Sequence, residues 1–159
     1  MNKLLTSLAV GATVALAATA WAQQGPAPLG APITLDQAKK AIAAAEAEAK
    51  KNNWNMAIAI VEPSGALVYY IKMDGTQYGS INVAMDKATS AALYRRPTSA
   101  FNDALKGGNT YVMQLRGANA VPGGLPLVVG GKLVGAIGVS GATGEQDTQV
   151  SQAAVNALK

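Results

Sequence analysis

VGAIGVSGATGEQD, residues 134–147, is the stretch that decides what fold this chain can adopt. Glycine recurs at every third position, Gly135, Gly138, Gly141 and Gly144, where an apolar run gives way to a polar, helix-forming one. Two nucleotide motifs pass close to this pattern and both fail on spacing. The dinucleotide fingerprint needs G-x-G-x-x-G inside a βαβ unit, and here G-x-x-G-x-x-G follows the second strand of a hairpin. The P-loop needs a lysine after its last glycine, and Glu145 stands there. What remains is a strand running into a helix N-terminus, whose free N–H groups favour an anionic ligand, although Glu145 and Asp147 already bring negative charge to that first turn. Two readings stay open: a capped corner whose glycines let strand and helix approach closely, or an anion or carbonyl subsite.

Upstream of the corner, Leu125–Val129 and Lys132–Ser140 are predicted strands. Gly130-Gly131 joins them as a two-residue hairpin turn that needs positive φ angles. Downstream, Thr143-Gly144-Glu145-Gln146 is a capping box opening a helix to about Leu158, and Thr34-Leu35-Asp36-Gln37 is a second one. The helix from Leu35 to about Lys51 is expected to bury Leu35, Ala38, Ile42, Ala45 and Ala49, with Lys39, Glu46 and Lys50 in water. Met56–Glu62 and Ala66–Lys72 are apolar on both alternating faces, a strand pair around Pro63-Ser64-Gly65 expected at the centre of the sheet.

A further helix begins near Gly79 or Ser80 and buries Ile81, Ala84, Met85, Ala88 and Ala92. It ends at Arg95-Arg96-Pro97, where the proline excludes helical geometry from Arg96 and the arginines complement the helix dipole. A short helix, Thr98 to Lys106, stops at Gly107-Gly108. Tyr111–Leu115 is predicted as an edge strand, and Val121–Gly124 as a loop. Tight turns between consecutive strands make an antiparallel sheet flanked by helices, an α/β fold of the α+β kind in one domain, and argue against a doubly wound parallel sheet.

Composition narrows the chemistry. The chain has 159 residues, 50% hydrophobic and 14% charged, with a formal net charge of +4 and neither cysteine nor histidine. Disulfides, thiolate nucleophiles, Ser-His-Asp triads and histidine-bound zinc or haem iron are therefore excluded. With no run of like charge and few aromatic residues, nucleic acid is not an expected partner. The first residues have the form of a signal peptide: a basic start at Lys3, an uncharged run from Leu4 to Thr19, and Ala20-Trp21-Ala22 as an A-x-A cleavage site. That run is shorter than the ~20 residues a bilayer span requires. The expected division is residues 1–22 as signal peptide, 23–33 as a flexible leader rich in proline and glycine, and 34–159 as the domain, in a periplasmic or secreted protein with no membrane attachment once the signal is cleaved.

The segments KMDGT, AMDKATSAALYRRPTSAF, VPGGLPLVVGGKLVGAIGVSG and TGEQD, in this order, resemble the GlcG/HbpS family of haem-binding-like proteins, which is similar also to the C-terminal domain of PduO-type cobalamin adenosyltransferases. The resemblance runs from about Leu35 to Leu158. It implies a domain similar to the profilin-like arrangement, assembly into homo-oligomers, and in some members the binding of haem or a corrinoid. This chain departs from members that hold a tetrapyrrole through histidine. An axial donor would have to be Met73, Met85, Met113, Tyr94, Tyr111 or Lys87, with propionates held by Arg95, Arg96 or Arg116.

The expected ligand site is a pocket between the second helix, bearing Asp86, Lys87, Tyr94 and Arg95, and the segments holding Gly123, Gly124, Ser140, Gly141 and Thr143. Lys87 and Tyr94 share a helix face, while Asp86 and Lys87 point about 100° apart. Each residue also has a plainer role: Lys87 as a surface lysine, the arginines as a helix end, Asp74 as a turn residue, the methionines as core filler. The leading functional reading is an exported binding protein for haem or a related tetrapyrrole. The alternatives are a carboxylate or hydroxy-acid binding protein or enzyme using Lys87 and Arg95, with Lys87, Asp86 and Glu145 as acid-base candidates, and an accessory oligomer without a small ligand. No metal cluster and no assignable catalytic residue is read from the sequence.

Overall fold

The computed structural model describes residues 25–159, so the proposed signal peptide lies outside the described residues. In chain order the elements are α1 (Leu35–Lys51), β1 (Ala57–Val61), β2 (Leu67–Lys72), α2 (Gly79–Tyr94), α3 (Ser99–Lys106), a 3-10 turn (Thr110–Gln114), β3 (Gly124–Val129), β4 (Lys132–Ser140) and α4 (Gly144–Ala157). The four strands form one antiparallel sheet in the order β2-β1-β4-β3.

Local signals placed the helix starts. Thr34 and Thr143 each accept the N–H of the third helical residue, and Gln37 and Gln146 each accept the cap's own N–H, completing both capping boxes. Gly130 and Gly131 take φ of 55° and 76° and close the β3–β4 hairpin. The α2 helix ends one residue earlier than its arginines suggest: Arg95 is the cap itself, in the left-handed region at φ 51°.

Four expectations need correction. The β1–β2 pair is not the centre of the sheet, because β4 takes the other edge of β1 and leaves β2 outermost. The reason lies in burial: every residue of β1 and all but the first of β4 are buried, whereas β2 is partly exposed throughout. Tyr111–Leu115 is not a strand, since its backbone is satisfied by short-range bonds such as Leu115 N–H to Val112 O, and only Val112 is buried. Leu35 lies half-exposed at the end of α1, with Ala41 buried where the stripe was drawn without it. The later part of the leader is strapped down. Where β1 departs at Val61, Gly30 N–H and Ile33 N–H donate to the carbonyls of Leu133 and Val134, and Leu133 N–H donates to Pro28 O.

The two faces of the sheet carry separate cores. Met56, Ile58, Ile60, Leu127, Ile137 and Val139 pack on α1 and α4. Ala57, Ala59, Val61 and Ala136 meet Ala84, Ala88, Ala91 and Ala92 of α2. Register places Ala59, Gly138 and Gly124 side by side across three strands. These three form a trough without side-chain bulk, and α2 sits in it: a Cβ on Gly138 would collide with the backbone at Ala84 and Ala88, and one on Gly124 with the backbone at Lys87. The glycines of the opening stretch thus serve close packing, and at Gly138 the element they admit is α2.

Candidate functional site

At the end of the alanine face, Lys87 points from α2 into the protein and is completely buried. Its Nζ donates to Asp147 Oδ2 at 2.6 Å and to the carbonyl oxygen of Val139 at 2.9 Å. The other carboxylate oxygen, Asp147 Oδ1, accepts the Ala142 N–H. Burial pushes the Lys87 pKa down and the Asp147 pKa up, each toward its neutral form, and their mutual hydrogen bond and charge oppose that push.

An arch from Val121 to Gly124 lies over this pair. Thr98 fastens it by donating its hydroxyl to Val121 O and accepting the Gly124 N–H, and Ser151 Oγ and Val139 N–H both donate to Gly123 O. Gly123 has φ of 118°, and a Cβ there would lie 2.7 Å from Asp147 Cβ and 3.0 Å from Lys87 Nζ. Only glycine leaves room for the pair beneath.

Of the residues expected to line one pocket, Lys87, Gly123, Gly124 and Gly141 do come together, but around Asp147 rather than around an opening. Ser140 lies close by and donates its hydroxyl to Ser80, and Thr143 is the cap of α4. The other three go elsewhere. Asp86 faces solvent beside Thr89, Gly117, Ala118 and Asn119. Tyr94 donates its hydroxyl to Arg116 O at 2.8 Å and packs edge-on against Phe101. Arg95 donates to Ala27 O in the leader. The surface-lysine role for Lys87 is overturned, since its amine is buried and paired with Asp147. Asp147 was missed because it lies 60 residues from Lys87, and Thr98 and Ser151 because they act on the Val121–Gly124 arch and not on the lysine itself. The one signal available was Asp147 within the TGEQD motif, which was read only as charge at a helix start.

The opening sits elsewhere. Phe101 and Leu105 of α3, Val112 and Met113 of the 3-10 turn, and Ala118 and Ala120 line an apolar hollow of about 300 Å³. Tyr111 and Met113 beside it are 61% and 76% exposed, and Val121 is also uncovered. Lys106 and Arg116 are exposed cations next in sequence to Leu105 and to the Gly117-Ala118 pair. A second hollow, with Asp86 and Asn119 in its wall, shares Ala118 with the first. Among the described residues no cluster of three or more potential metal-ligating carboxylates exists.

A family model described as haem degrading protein HbpS-like matches residues 33–156. Protein GlcG of Escherichia coli strain K12 is 37% identical over 108 residues, covering 68% of this chain and 81% of that protein. Among solved structures, a double mutant of HbpS from Streptomyces reticuli is 30% identical with a TM-score of 0.75, over 95% of this chain and 99% of that one. A PduOC:haem complex superposes with a TM-score of 0.73 at 23% identity, over 80% of this chain and 96% of that one, and shows the shared fold.

Proposed function

The chain belongs to the HbpS-like family, and from that membership we propose that it binds haem or a related tetrapyrrole at the hollow between α3 and the 3-10 turn. The observation that carries this placement is the union of an apolar wall with uncovered donors and cations, in contrast to the sealed Lys87–Asp147 arch. A tetrapyrrole is a flat apolar ring with an anionic edge. Leu105, Met113, Ala118 and Ala120 offer apolar surface over the buried Phe101 and Val112, and Arg116 and Lys106 offer charge for propionates. The chain has no imidazole or thiolate, so an iron held here would meet only the Met113 thioether and the Tyr111 phenol. When bound, the group would supply iron redox chemistry. The protein's own part is to cover one ring face and orient the propionates.

The same reading makes it an exported protein, cleaved after Ala22 and working in the periplasm as a homo-oligomer. The A-x-A site supports the first, and exposed Leu67 and Tyr78, away from the hollow, support the second. Titrating the protein with haemin and with metal-free protoporphyrin tests the site. Both ligands are expected to bind, and Ala118→Glu, which places a charge in the hollow, should weaken both by about tenfold or more. Unchanged affinity in that variant, with the fold intact, would move the ligand away from this surface.

A further inference from the structure

The edge of a β-sheet is a row of unpaired N–H and C=O groups, and folded chains usually block it. This chain does so at β3 and at β4. On the outer side of β3, Gly124 N–H donates to Thr98 Oγ1 and Gly124 O accepts the Thr98 N–H, while Pro126 has no N–H to offer. Where β1 departs, the leader takes the free groups of Leu133 and Val134 in β4. The outer edge of β2 has neither device. Among the described residues the backbone of Leu67–Lys72 bonds to β1 alone, and the strand holds no proline and one charge, Lys72.

One bond shows which groups point outward. Met73 N–H donates to Met56 O, and bonding alternates along an antiparallel pair. Met73, Ile71 and Tyr69 therefore bond to β1, whereas Lys72 and Tyr70 turn their N–H and C=O away from it. The irregularity in the β1–β2 register lies beyond Tyr69 and leaves this stretch regular. Tyr69, Ile71 and Met73 pack beside the bulky core and Tyr70 beside the alanine one, all of them partly exposed. Lys72 shares the face of Tyr70. The Tyr70 hydroxyl is shielded from water and has no hydrogen-bond partner among the described residues.

We infer that the β2 edge is where a second copy of this chain pairs, antiparallel and about a twofold axis at Ile71, so that two sheets become one. In that register the stretch complements itself. Tyr70 of each copy exchanges both backbone bonds with Lys72 of the other. On the bulky face Ile71 meets Ile71, and Tyr69 meets Met73. On the alanine face the Lys72 ammonium comes opposite the Tyr70 whose hydroxyl lacks a partner, so the one charge of the strand meets an acceptor and not its own kind. The assignment rests on the chain being a homo-oligomer and names the surface that makes it one.

Because the chain has no cysteine, a single introduced thiol can link only to its own copy. The paired Ile71 Cα atoms would lie about 4.5 Å apart, within disulfide reach, whereas two Leu67 residues would be separated by about 26 Å of strand. Under mild oxidation Ile71→Cys is expected to give a covalent dimer, and Leu67→Cys, at the more exposed position, to stay unlinked. Lys72→Pro removes an N–H that β1 does not use, so sedimentation should show self-association weakened about tenfold or more with an unchanged circular dichroism spectrum. Should that variant fail to fold, the cysteine comparison decides alone. If the unmodified protein assembles but Ile71→Cys links no better than Leu67→Cys, the β2 edge is not the interface and the homo-oligomer stands. If the unmodified protein sediments as a monomer at micromolar concentration, both are wrong.

Discussion

On the face of the sheet turned to α1 and α4, the packed side chains are Met56, Ile58, Ile60, Leu127, Ile137 and Val139; on the face turned to α2 they are Ala57, Ala59, Val61 and Ala136, with Gly138 and Gly124 between them. Strand β1 shows the difference within five residues, AIAIV, since its isoleucines go one way and its alanines the other. Both faces are dry, but they are built on different terms. The first is held by interdigitating bulk, where removing atoms leaves a hole. The second is held by backbone approach, where adding atoms forces the helix away. The alanine face also ends in a buried ion pair, which the bulky face has no need of. Small side chains bury little area and leave main-chain and charged groups close together, so this face relies on specific bonds for what the other obtains from volume.

The sharpest way to break this contrast is at the ion pair. Lys87→Met should cost about 3–5 kcal/mol in urea unfolding, because it leaves Asp147 charged, buried and without its partner. Adding Asp147→Asn should recover much of that loss, since no charge is then buried and the Ala142 N–H keeps an acceptor. A cost near zero for Lys87→Met alone would mean that water reaches the pair and that the arch over it is open.

Next in size is a matched pair of changes on the two faces. Ile58→Ala, on the bulky face, should cost about 2–5 kcal/mol through lost burial and the cavity left behind. Gly138→Ala, on the alanine face, should cost about 1–3 kcal/mol although it adds only a methyl group, because the added Cβ meets the backbone of α2. Hydrogen exchange separates the two mechanisms. Gly138→Ala should loosen the amides of α2 selectively, and loosening of α1 and α4 instead would show that the faces have been assigned the wrong roles.

The smallest effect belongs to the rim of the bulky face, where Gln149 of α4 donates to the Glu48 carboxylate of α1 at 2.6 Å. That bond, and then one from Asn52, holds the Glu48 pKa below the ordinary carboxylate value. Its folded-state pKa therefore lies below its unfolded one, so its contribution is present above the unfolded value and is lost as pH falls through the folded one. Glu48→Gln should lower Tm slightly at neutral pH and not at all in strong acid. Because Glu48 is open to solvent, a large Tm change would show a tighter α1–α4 clamp than a surface bond provides.

How much of this could be read beforehand depended on how far each signal reaches. Thr34 with Gln37 and Thr143 with Gln146 act over three residues, and Gly130-Gly131 over two, so helix starts and the hairpin were legible in the chain. The antiparallel arrangement followed from short connections, and the family from motifs in order. Lys87 and Asp147 stand 60 residues apart, and nothing local marks a lysine as buried; sequence reasoning placed it beside a pocket and paired it with Tyr94, when its charge is answered across the sheet. The position of β2 at the edge was hidden for a related reason, since its apolar residues look central until β4 takes the better partner. The glycines of VGAIGVSGATGEQD were correctly suspected of allowing close approach, but the helix seated on Gly138 is α2 and not the one that follows in sequence. Sequence by itself determined the four helices, the four strands of the sheet and the two capping boxes, because those depend on bonds within a turn or two, but not the 3-10 turn at Thr110–Gln114. Tertiary structure alone decided which faces meet, which charge is buried and where an opening remains, because burial is a property of neighbours that the chain brings together only on folding.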